Sequence, residues 1–147
     1  MTANPAGLQQ LLLRNLPAVD HRGEVVEEIG DDFVRLRLPL REEYVGPVAA
    51  GIDGRGILSG PVTMGFADTA LYACVHAFYG ERVLAVIATF NVAFLRVAAA
   101  ADLVAVARLL RRGRSLAFVE AHLFSGAATA PCAHVTATYA IRELPPT

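Results

Sequence analysis

Lysine is absent from the 147 residues, and all thirteen basic side chains are arginine. Without an ε-ammonium group, a Schiff-base mechanism and a lysine-bearing phosphate loop are both excluded. Tryptophan is also absent, and cysteine occurs twice, at Cys74 and Cys132. Two thiols cannot build the disulfide framework of a small secreted protein, so the expectation is a pair of buried free cysteines. Charge is scarce: 18% of residues are charged against 54% hydrophobic, and the net charge is −1. Such a chain lacks the electrostatic footprint of a nucleic-acid binder, and its apolar content is enough for a single domain over residues 1–147.

A bilayer-spanning run is missing as well, although the mean hydropathy of +0.44 is high. Thirteen uncharged residues separate Arg82 from Arg96, well short of the roughly 20 that a transmembrane helix needs. The longer stretch from Ala121 to Ile141 contains His122, Gly126, Pro131 and His134 and reads as turn plus strand. The opening MTANPAGLQQ has no basic segment followed by an apolar one, so no secretory signal is expected. These absences lead to the expectation of a cytoplasmic protein with no membrane partner, whose surplus apolar surface lies in contacts between copies of itself.

Ala6 to Leu16 reads as a short amphipathic helix stopped by Pro17, and Val25 to Leu40 as a hairpin turning at Gly30-Asp31-Asp32. Pro39 to Leu58 is rich in proline and glycine and reads as a long loop, a length that usually signals function. Residues 59–80, SGPVTMGFADTALYACVHAFYG, then carry the most distinctive pattern. Ser59 is placed to cap a helix, Pro61 sits in the first turn where a missing N–H costs nothing, and Gly80 supplies the stop. Between them the helix is apolar on every face, which predicts burial all round. Four strand-like runs follow, Val83 to Val97, Leu103 to Leu110, Leu116 to Phe124 and His134 to Leu144, joined closely enough to pair as antiparallel hairpins. The fold class is therefore α+β, an antiparallel sheet wrapped around a long buried central helix.

Asp68 is the only charged residue of that helix. A lone buried carboxylate costs several kcal/mol unless paired, so it is either a structural hydrogen-bonding group or a general base or nucleophile tuned by dry surroundings. At the helix start, Gly60 leaves room for a ligand carbonyl, and its N–H lies at the positive end of the helix dipole. Gly60 and Asp68 are eight residues apart, about 12 Å along a helix. Both cannot reach one carbonyl within a chain, so joint action requires Gly60 of one subunit and Asp68 of another.

Other patterns carry less. Gly56-Ile57-Leu58-Ser59-Gly60 places its serine one position late for a nucleophile elbow, and Gly51 to Gly56 lacks dinucleotide-loop spacing. Cys132 and His134 share a strand face in this reading, but two ligands do not make a zinc site, and no metal is expected. His76 and His122 read as core or interface histidines. The arginines of residues 108–114 form either a solvated tip or a phosphate-binding fork.

The stretch from Gly51 to Ile141 resembles the hotdog-fold thioesterases, specifically the phenylacetate-degradation type of the 4-hydroxybenzoyl-CoA thioesterase superfamily. Ser59-Gly60-Pro61 occupies the position of the family's His-Gly-Gly triplet, and Ala67-Asp68 falls at the family spacing. Asn91 to Arg96 is similar to its phenylalanine-leucine-arginine strand, and Gly113 to Ala121 to its glycine-arginine strand entry. The resemblance implies an acyl-CoA thioester hydrolase working as a homodimer or homotetramer, with coenzyme A entering as part of the substrate and no separate cofactor. It implies Asp68 as base or nucleophile, the Gly60 N–H as oxyanion donor from the partner chain, and Asp53 at a position that orients water or substrate. Ser59 replaces the family histidine, and Pro61 the second glycine. Pro61, Met64, Tyr72, Phe94 and Arg96 are the expected substrate-binding residues, with Arg112 and Arg114 toward the CoA phosphates. The alternative is a non-catalytic hotdog protein that binds CoA or another acyl ligand.

Overall fold

The computed structural model describes residues 4–46, 54 and 56–146. Helix α1 spans Pro5–Asn15, strands β1 and β2 span Val25–Ile29 and Phe33–Leu38, and helix α2 spans Gly60–Tyr79. Strands β3 (Val83–Phe94), β4 (Leu103–Arg112), β5 (Leu116–Ser125) and β6 (Ala133–Glu143) complete the chain. The six strands form one antiparallel sheet in the order β1-β2-β4-β5-β6-β3, with α2 against its inner face. This is the expected hotdog architecture.

Alternation along the strands builds the core. Val34, Leu36 and Leu38 of β2, Ala105 and Ala107 of β4, Ala117, Val119, Ala121 and Leu123 of β5, and Val135 and Tyr139 of β6 are all buried on the helix side. The alanines of β4 and β5 meet Ala67, Ala70, Ala73 and Ala77 of α2 in the same core, and these small side chains let helix and sheet approach closely. Helix α1 closes one side by burying Leu8, Leu11 and Leu12, and Asn4 caps it through Gly7 N–H at 2.7 Å. Both cysteines are buried free thiols, and burial pushes Cys74 up to about 12.

One expectation is corrected. Helix α2 is not buried all round: Pro61 and Asp68 are exposed, and Met64, Gly65 and Tyr72 are half-buried. These positions recur every three or four residues and so form one stripe along the helix. The sheet covers the other faces and leaves this one open. The stripe is apolar apart from Asp68, so sequence hydropathy cannot distinguish it from the faces that meet the sheet.

Among the described residues, no helix is long and apolar enough to cross a membrane.

Candidate active site

The start of α2 is fixed from both sides. Ser59 N–H donates to the Tyr44 carbonyl at 2.8 Å, and Leu58 N–H to the Ala98 carbonyl at 3.0 Å. The Ser59 hydroxyl oxygen then accepts from Val62 N–H at 3.2 Å, and its carbonyl accepts from the Thr63 N–H and hydroxyl. Ser59 is therefore the helix cap, and its side chain is committed to that bond. Pro61 has no N–H, and Val62 is bonded to the cap. Of the first helical donors this leaves Gly60 N–H, which has no hydrogen-bond partner among the described residues. Gly60 itself lines an opening of about 430 Å³, together with Ile57, Thr63, Phe94, Arg96 and Val97, among others. A Cβ added at Gly60 would lie 3.9 Å from the ring of Phe94.

Asp68, two turns further along, borders a second opening of about 270 Å³. Its lining includes Leu16, Arg22, Tyr72, Val86, Ile87 and Tyr139. The buried Tyr139 hydroxyl donates to Asp68 Oδ1 at 2.9 Å. Burial first, and then the neighbouring Asp68 charge, push the Tyr139 phenol up, so it remains a protonated donor. Asp68 Oδ2 is left without a protein partner among the described residues. The sequence expectation of a buried Asp68 is thus corrected: in one protomer the carboxylate is exposed, on the open stripe of α2.

The predicted residues accordingly divide into two groups. Gly60, Phe94 and Arg96 share one opening, and Asp68 and Tyr72 share the other. Both openings border β3, the second against Ala85, Val86 and Ile87 and the first against Phe94. Pro61 and Met64 lie on the open stripe between them. Asp53 lies outside the described residues. Arg112 stands with its guanidinium 5.2 Å from the Tyr79 ring centre, at the far end of α2 from Gly60. Neither it nor Arg114 lines either opening.

Cys132 and His134 do not share a face. Cys132 sits in a bend before β6 and belongs to the core, whereas His134 stacks on His122 on the other side of the sheet. His76 is a core histidine, bonded through Nδ1 to the Gly80 carbonyl at 2.9 Å. Burial holds it below its ordinary value.

Two site residues were not legible beforehand. Tyr139 is the one hydroxyl-bearing side chain on the inner face of β6, a signal that becomes readable once strand parity is known. Arg22 packs its guanidinium against Gly65, where an added Cβ would lie 2.5 Å from Nη2. Nothing in the local sequence around Arg22 announces that contact.

The sequence pattern of the thioesterase superfamily matches residues 55–132. Among solved structures, a protein of Silicibacter sp. TM1040 provisionally designated a thioesterase is 32% identical, with a TM-score of 0.81 over 97% of this chain and 92% of that one. A thioesterase of Haemophilus influenzae is 21% identical, with a TM-score of 0.80 over 98% of this chain and 94% of that one. A mutant thioesterase of Pseudomonas aeruginosa is also 21% identical, with a TM-score of 0.77 over 98% and 97%. The latter two support the fold alone. No curated protein matches the chain. The matched span, together with a relative about one-third identical over nearly the whole length, places this chain in the thioesterase superfamily.

Proposed function

We propose that the protein is an acyl-CoA thioesterase whose active site is shared between two protomers. The observation that carries this reading is the separation of the two functional groups. The free Gly60 N–H and the open Asp68 carboxylate occupy different openings on one helix, about 12 Å apart along its axis, yet both openings border the same strand edge.

Strand β3 is that edge. It is twelve residues long and, among the described residues, is paired on one side only, to β6. It exposes Leu84, Val86, Ile87 and Phe94, each with 37–54% of its surface accessible. A long apolar edge of this kind is a template for pairing with another strand. Antiparallel pairing of two β3 strands about a two-fold axis at Phe90 brings the Val86 end of one beside the Phe94 end of the other. The Asp68 opening of one protomer then abuts the Gly60 opening of its partner, and the dimer gains two complete sites.

In such a site the thioester carbonyl oxygen takes the Gly60 N–H, and the carbonyl carbon faces Asp68. Acting as base, Asp68 removes a proton from water while the hydroxide forms the new C–O bond. The tetrahedral oxyanion collapses, the C–S bond breaks, and the thiolate regains the proton from Asp68, releasing a carboxylic acid and free CoA. Acting as nucleophile, Asp68 forms a mixed anhydride with loss of thiolate, and water then hydrolyses it. Tyr139 fixes Oδ1 in either case, leaving Oδ2 to react. Leu16, Tyr72, Val86 and Ile87 give the Asp68 opening apolar walls suited to an aryl or medium-chain acyl group. Arg96, beside Gly60, is placed for the CoA side.

The test is hydrolysis of aromatic, short, medium and long acyl-CoAs by the wild type and Asp68→Asn, with CoA affinity measured alongside. Turnover on one class that falls about 10²–10⁴-fold in the variant, with affinity kept, is the expected result. CoA binding without turnover on any substrate would instead identify a ligand-binding protein.

A further inference from the structure

We propose that the outer face of the sheet, on the side away from α2, carries a site for a divalent transition-metal ion formed by Glu120, His122 and His134. Glu120 and His122 are two apart on β5 and so project on the same face. The register pairs His122 directly with His134 of β6. Their rings stack with centroids 4.5 Å apart and 25° between planes, and His134 Nε2 meets Glu120 Oε1 at 2.8 Å. One ligand atom from each of the three residues lies within 4.8 Å of the other two.

Two imidazoles and a carboxylate, with a fourth position left for water, form a donor set that suits zinc and its neighbours. At metal–ligand distances near 2.1 Å, ligand atoms around a tetrahedral ion are about 3.4 Å apart. The Glu120–His134 contact would therefore open slightly and the longer separations close, within the reach of side-chain rotation. On binding, the metal takes the His134 Nε2 lone pair, and the ring proton sits on Nδ1.

The flanking strands leave the cluster free of competition. His122 faces Val106 on β4, and His134 faces Ala93 on β3. Glu120 faces Thr136 on β6 and Arg108 on β4. Arg108 is turned toward Asp32, at 3.2 Å, and over the Phe33 ring, so its charge is used elsewhere. All three ligands are half-buried, which lowers the competition from bulk water while keeping an entry path. The inner-face residue Tyr139 contacts Asp68, whereas His134 on the same strand points to the opposite side. The metal therefore clamps β5 to β6 and does not enter the thioester chemistry.

Titration calorimetry of the chelator-stripped full chain with Zn²⁺, and visible spectra with Co²⁺, test this assignment. The expected result is one saturable site per chain, a Co²⁺ d–d band without a thiolate charge-transfer band, and a Tm raised by Zn²⁺. His122→Gln and His134→Gln should each weaken binding at least about tenfold and abolish the Tm shift, with unchanged circular dichroism showing that the fold is kept. No saturable binding, or binding unaffected by these substitutions but lost in His21→Gln, would overturn the proposal.

Discussion

The two edges of the sheet are built to opposite specifications. At the β1 edge the strand is five residues long, with a register shift between Val26 and Glu28. Its outer side carries a charge ladder: Arg37 Nε meets Glu27 at 2.7 Å, Arg35 meets both Glu27 and Glu28, and Arg37 reaches Asp102 at 3.5 Å. The Arg37 hydrogen bond holds the Glu27 carboxyl below its ordinary value. Individually such partly exposed pairs contribute at most about 1 kcal/mol, but shortness, a bulge and charge are the means by which an edge is kept from pairing. The β3 edge has a register shift of its own, between Ile87 and Thr89, but it is twelve residues long and uncharged. From Val83 to Phe94 the strand carries no charged residue, and its exposed side chains are mostly apolar. One edge is closed, and the other is left open beside both openings.

The largest effect is expected from giving the open edge the character of the closed one. Thr89→Asp combined with Asn91→Asp places like charges opposite each other across a two-fold axis at Phe90, an arrangement that destabilises strand pairing. Neither residue lines the Gly60 or the Asp68 opening. Sedimentation should show the particle mass halved, and turnover should fall at least about 100-fold as the sites separate into halves. A dimer that persists with these changes would mean that the contact lies elsewhere. Tyr139→Phe sharpens the comparison within the Asp68 half. Losing one hydrogen bond to a charged group is worth about 1.5–3 kcal/mol, so kcat should drop about tenfold or more with the particle mass unchanged.

Much of this was legible in the sequence. Ser59, Pro61 and Gly80 mark the ends of α2, and the four strand-like runs after it correspond to β3–β6. The proposal of a site shared by two chains also starts from a sequence feature, the spacing of Gly60 and Asp68. What could not be read are properties that depend on register and on the absence of a neighbour. The open stripe of α2 is apolar like the covered faces, so Asp68 was expected to be buried and is exposed. Glu120, His122 and His134 meet only because β5 and β6 pair in one register, and Cys132 leaves the face of His134 because it precedes β6, which begins at Ala133.

Smaller effects check the parts that belong to neither edge. Burial holds His76 below its ordinary 6.5, so below that value the unfolded chain binds more protons than the folded one. Its contribution to stability is therefore complete above about pH 6.5 and is lost as pH falls through the lowered folded value. Urea midpoints taken near pH 5 and pH 7.5 should differ in the wild type and differ less in His76→Gln. The smallest effect is expected from Val25→Asp at the closed edge, where another charge should alter neither particle mass nor turnover by a measurable amount.

The shared site is tested most directly by mixing two inactive chains. Gly60→Pro removes the oxyanion donor at a position where proline fits a helix start, and Asp68→Asn removes the carboxylate. Each variant should be inactive alone. After unfolding and refolding together in equal amounts, half the dimers are mixed, and each mixed dimer holds one intact site. Activity should then return to about one quarter of the wild-type value, as expected for two sites related by a two-fold axis. No recovery from mixed dimers of confirmed composition would contradict the account, because it would mean that Gly60 and Asp68 act within one chain or that one of them does not act at all.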